Sequence, residues 1–113
     1  MSGEVAATFA EGIATRTTFD LTFEILRKHL DDIVTLEEEE LREGIRLALR
    51  TTHNLAEGAG AASLAAAMKL RDQLAGNTVV CVMSGGNITN EMLQQVLSAG
   101  DAAVAGASRV GRV

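Results

Sequence analysis

Ser84-Gly85-Gly86-Asn87 sets a hydroxyl, two positions without side chains and an amide between an apolar run and a segment of helical pattern. In a strand-turn-helix geometry, such a turn lies where ligands approach an open α/β sheet, outside the carboxyl ends of its strands. The helix start there offers free N–H groups, and paired glycines let a ligand reach the backbone. Ser84 would stand at that edge. The same four residues also suffice for a plain tight turn, with Asn87 or Thr89 capping the next helix. On these residues alone, both readings stay open.

Glu57 is the second candidate, flanked by Ala56, Gly58, Ala59 and Gly60 with no basic residue near it in sequence. A carboxylate withdrawn from water in such small, apolar surroundings would hold its proton more tightly and carry it at neutral pH. Alternatively, it is an ordinary anion at the start of a helix, complementing the dipole, which is the simpler role. His29 and His53 stand near predicted helix ends and suit the same dipole at its other pole. Cys81, inside an apolar run, reads as an inert core thiol. The spacing of His29, His53 and Cys81 supports no zinc site.

The elements that must hold these residues follow from periodicity. Leu21, Phe23, Ile25, Leu26 and Leu30 recur at roughly helical intervals after Asp20, a plausible N-cap. Residues 33–36 form a short β-branched run of strand type. The next helix carries Glu37 to Glu40 in its first turn, a solvated and dipole-favoured position, with Thr35 or a neighbour as its cap and Glu38, three residues on from Thr35, completing a capping box. Leu41, Ile45, Ala48, Leu49 and Thr52 make its buried stripe. An Ala-rich helix follows Glu57 and ends near Leu74, with Gly76 as a C-cap. Residues 78–83 are continuously apolar, as in a parallel strand covered on both faces, and a helix runs from about Thr89 to Leu97. The predicted order is α-β-α-α-β-α. Residues 1–17 read as irregular, residues 1–98 as one incomplete unit, and residues 99–113 as a flexible tail.

Composition bounds the rest. The chain has 113 residues and a formal net charge of −5, and Lys28 and Lys69 are its only lysines, so no basic stripe exists for a nucleic acid. Residues 55–68 are too short to span a bilayer, which needs about 20 apolar residues. One cysteine makes no internal disulfide, and the first residues have no signal-peptide pattern, which together suggest a cytoplasmic setting. The apolar fraction is 47%, carried largely by Ala beside 11 Gly and three Phe. Such a core has little bulk, so the piece is expected to lean on another surface, as a homo-oligomer if nothing else covers it.

Taken together, Glu57-Gly-Ala-Gly-Ala, the run 78–83 and Ser84-Gly-Gly-Asn87 resemble the C-terminal portion of the threonine dehydratase (threonine ammonia-lyase) family. These are fold-type II pyridoxal-phosphate enzymes, and serine racemase and serine dehydratase share the pattern. Thr8-Phe-Ala-Glu-Gly-Ile-Ala14 is similar to the family's T-I-A-D-G-I-A segment. Asp31-Asp32-Ile33-Val34-Thr35, followed by Glu38-Glu39-Glu40, resembles its D-D-x-V-x-V strand and acidic helix. The likeness covers about residues 8–97. Glu11 replaces the family's usual Asp, and Thr17-Thr18 its common Pro-Gly.

The resemblance implies a three-layer αβα fragment, with short parallel strands and helices on both faces. It implies that Ser84 hydrogen-bonds the pyridine nitrogen of pyridoxal phosphate, that Gly85 belongs to the cofactor-binding turn, and that Glu57 lies near the ring or its hydrogen-bond shell. The family's Schiff-base lysine, substrate-carboxylate loop and phosphate loop lie upstream of the matching segment. No catalytic residue is therefore expected in this chain, which alone should be inactive. The intact enzyme would dehydrate L-threonine or L-serine to a 2-oxo acid and ammonia. A reading of a different class is a non-catalytic module that binds a phosphate-bearing ligand or docks a partner.

Overall fold

The structure, a computed structural model, describes residues 5–107. After a single 3₁₀ turn at Glu11–Ile13 come five helices: α1 (Asp20–His29), α2 (Glu38–Thr52), α3 (Gly58–Lys69), α4 (Arg71–Leu74) and α5 (Asn90–Ala107). Asp20 is the first residue of α1 rather than its cap, and Phe19 takes the cap position. The start of α2 is fixed two residues later than the sequence suggests. There the Glu40 carboxylate accepts from the Glu37 N–H at 2.8 Å, so the capping box uses Glu37 and Glu40.

Helix α2 buries Leu41, Gly44, Ile45 and Ala48, one stripe at helical spacing. Leu49 is half-buried and Thr52 exposed. That stripe meets α3, whose buried residues are Gly58, Gly60, Ala61 and Ala65. Small residues bring the two helices close: a Cβ on Gly44 would lie 3.0 Å from the Ala61 carbonyl oxygen. The first turn of α3 is seated the same way, since a Cβ on Gly58 would lie 2.7 Å from the Phe9 ring and 3.0 Å from the Ala10 Cβ. Helix α5 packs on α2 from the other side and contributes Val96 to a core of Ile45, Ala48, Ala56 and Ala61. Phe9, Leu64, Ile88, Met92 and Leu93 pack around it. The Arg46 guanidinium adds a polar tie across this contact, donating to the Val96 carbonyl at 2.8 Å.

The sequence pattern predicts an α/β arrangement with parallel strands, and the structure corrects it. Among the described residues there is no β-strand and no sheet, only helices and connecting chain. Residues 33–36 and 78–83 have strand-type side chains, but a strand exists only as one side of a ladder, and no described segment pairs with them. Residues 78–83 are exposed throughout, Val80 at 85%, and in 33–36 Ile33 is 74% exposed while Val34 and Leu36 are half-buried. Helix α5 also continues past residue 98 to Ala107, through part of the predicted tail, whose last residues, 108–113, lie outside the described residues.

Candidate functional site

Helix α3 organises the site. Gly58 follows Glu57 with no intervening loop, and the Glu57 carbonyl accepts the first helical bond, from the Ala61 N–H at 2.9 Å. Glu57 occupies the N-cap position of α3, at the helix start where the simpler reading placed it, but its carboxylate makes no capping hydrogen bond. That carboxylate lies against Gly85, where a Cβ at residue 85 would collide with Oε1. Main chain joins the same pair, the Glu57 N–H donating to the Gly85 carbonyl at 3.1 Å.

The chain leading into the Ser84 turn crosses α3 on the same side. Ser63 Oγ donates to the Val82 carbonyl at 2.8 Å, and Cys81 Sγ lies 3.7 Å from the Ser63 carbonyl oxygen. Gly60 faces Gly85 so closely that a Cβ would overlap the Gly85 carbonyl oxygen, and one on Gly86 would lie 2.6 Å from the Leu55 carbonyl oxygen. Ser84 is exposed, Gly85 half-buried. Beyond the turn, Thr89 caps α5 with its hydroxyl, accepting from the Met92 N–H at 3.2 Å. A cleft of about 150 Å³ opens between the starts of α3 and α5, bounded by Phe9, Glu11, Glu57, Asn87, Thr89 and Met92.

The three sequence candidates thus converge: Glu57 lies on Gly85, and Ser84 is its chain neighbour. The others do not join them. His29 ends α1, and His53 sits at the C-cap of α2. Cys81 is exposed, which corrects its reading as a core thiol. Lys69 donates to Glu40 and to the Thr35 carbonyl, both at 2.9 Å, and Lys28 is exposed on α1. Among the described residues no group of His, Cys, Asp and Glu is placed to hold a metal ion. No described helix is long and apolar enough to cross a membrane. Sequence reasoning missed Gly60 and Ser63, whose signal is a three-residue step from Glu57 to Gly60 and again from Gly60 to Ser63, which keeps each on the turn next to its predecessor.

Residues 2–85 match the family described as pyridoxal-phosphate dependent enzyme. The chain is 40% identical over 93 residues to an L-threonine ammonia-lyase of Thermotoga maritima, covering 82% of this chain and 23% of that protein. It is 43% identical over 97 residues to an L-threonine ammonia-lyase of Geobacter sulfurreducens, covering 85% of this chain and 24% of the other. The crystal structure of a threonine deaminase from T.th. aligns with a TM-score of 0.73 at 36% identity, over 79% of this chain and 32% of that one. The chain therefore spans about a quarter of the length of these curated relatives.

Proposed function

This chain belongs to the pyridoxal-phosphate dependent enzymes, and from that premise we propose that it supplies part of the catalytic domain of a threonine or serine ammonia-lyase. The observation that carries the reading is the junction of Glu57 with Gly85, which holds Ser84 exposed at the start of the turn. The donor set suits a pyridine ring. A serine hydroxyl is a neutral partner for the ring nitrogen and, unlike a carboxylate, does not force that nitrogen to stay protonated. Pyridoxal phosphate, when bound, would supply the electron sink that lets an α-proton and a β-hydroxyl leave a hydroxy-amino acid as water; the free enamine that results tautomerises to an imine, which water hydrolyses to a 2-oxo acid and ammonia. Ser84 would orient the ring, Gly85 and Gly86 let the turn close against Glu57 and Leu55, and Glu57 fixes it through its main-chain N–H. The covalent anchor would come from outside this chain, because Lys69 is held by Glu40 and the Thr35 carbonyl, and Lys28 lies on α1, which packs on none of the other described elements. The relatives named as L-threonine ammonia-lyases favour threonine as the substrate. A free cysteine suits a reducing, cytoplasmic setting.

The test is Ser84→Ala in the assembled enzyme. It leaves the ring nitrogen without its partner, at about 1 to 3 kcal/mol if that atom is buried, and activity is expected to fall roughly tenfold or more. The cofactor absorption should change with it. Unchanged kinetics together with an unchanged spectrum would show that Ser84 serves only the turn.

A further inference from the structure

We propose that Gly60 and Ser63 are positioning residues for Ser84, a role that rests on the cofactor reading and assigns it to the body of α3. Two hydrogen bonds bracket Ser84 in the chain: Ser63 Oγ donates to the Val82 carbonyl, at 2.8 Å, and the Glu57 N–H donates to the Gly85 carbonyl, at 3.1 Å. Between these clamps the turn can shift only if one of them opens. Gly60 lies between Glu57 and Ser63 along the helix and sets how near the segment comes, since any side chain there would strike the Gly85 carbonyl oxygen. That obstacle is backbone, so it cannot rotate aside as a side chain would.

Ser63 supports the same assignment. A serine inside a helix commonly turns its hydroxyl back onto a carbonyl of the preceding turn. Ser63 gives its hydroxyl to a segment 19 residues away in sequence. Neither residue touches the proposed cofactor partner atom; each acts through the main chain on either side of Ser84.

The sign of one substitution separates this role from a helix effect. Alanine favours helix over glycine, so Gly60→Ala would raise the melting temperature if the approach to Gly85 did not matter. We expect it to fall. In the assembled, cofactor-free enzyme, hydrogen exchange at the Glu57 amide reports the clamp directly, because its partner is the Gly85 carbonyl. Exchange should accelerate by about tenfold or more in Gly60→Ala. Ser63→Ala, which removes one hydroxyl without new bulk, should accelerate it less, and Ser63→Thr should restore it. In the loaded enzyme, the pH profile of the cofactor absorption should move in Gly60→Ala in the same direction as in Ser84→Ala.

A raised melting temperature in Gly60→Ala, or a Glu57 amide unchanged in both Gly60→Ala and Ser63→Ala, overturns the proposal. So does an absorption profile that moves in Ser84→Ala but not in Gly60→Ala, which leaves the cofactor reading standing. If Ser84→Ala leaves the profile unmoved, the cofactor reading fails and the positioning role falls with it.

Discussion

His53 closes α2 with φ 57° and ψ 26°, the left-handed region, while its N–H donates to the Leu49 carbonyl at 3.1 Å. For a residue with a Cβ this conformation costs about 1 to 2 kcal/mol. Glycine adopts it freely but gives back part of the gain through a more flexible unfolded chain, so His53→Gly should stabilise by about 0.5 to 1 kcal/mol. A urea titration checks it: the midpoint should rise with an unchanged slope, and an equal or lower midpoint contradicts the argument. Glu57, Ser84 and Gly85 were legible in the sequence because their chemistry is local, a carboxylate among small residues and a hydroxyl beside paired glycines. What Glu57 does with its carboxylate was not legible. Capping is a local expectation, whereas its contact with Gly85 depends on which distant segment crosses α3. Gly60 and Ser63 were hidden for the same reason, and Cys81 is exposed because an apolar run does not itself specify what covers it.

Helices were legible as elements, since capping and period are written within each segment, and α1, α2 and α5 begin within a residue or two of where their patterns place them. Strands were not, because residues 33–36 and 78–83 carry the right side chains without the partners that make a ladder. The α2 and α3 pair makes its own prediction about acid. The N–H of Glu37 and the ammonium of Lys69 hold the Glu40 carboxyl below its ordinary value of 4.5. Burial draws Glu43 upward, but hydrogen bonds from Arg46 and Arg50 outweigh it and leave that carboxyl lowered as well. A carboxyl lowered by folding stabilises the fold above its unfolded value and stops doing so as pH falls through the lowered one. The bond between Lys69 and Glu40 joins the end of α3 to the start of α2, so acid should loosen this contact first. Hydrogen exchange near the end of α3 should therefore speed up, once corrected for intrinsic rates, as pH drops from roughly 6 to 3. A flat response would show that the pair contributes nothing there, and in Lys69→Met the Lys69-dependent part of the response should vanish.

As a whole the molecule is more open than its mass requires. Its radius of gyration is 16.4 Å, against about 13 Å for a packed domain of about 100 residues. Its accessible surface is 8847 Å², where a folded monomer of this mass has roughly 5,900 Å². The largest fully buried side chains are Ile45 and Val96. Helix α1 packs on none of the other described elements and leaves Leu21, Ile25 and Leu26 in solvent. Apolar surface on this scale seeks cover, so the 113-residue chain on its own should self-associate at low micromolar concentration in sedimentation equilibrium. A cooperatively folding monomer would show that the chain closes its own core.

The two clamps on the Ser84 turn also bear on the order of assembly. Helices α2 and α3 are chain neighbours, and joining them closes only a short loop at small entropic cost. The bond from Ser63 to Val82 must close a span of 19 residues, and the turn can be set only after that. During synthesis the helical platform can therefore form first and wait, as a template, for the segment that carries Ser84. The turn that carries Ser84 then acquires its shape after the α2–α3 platform beneath it.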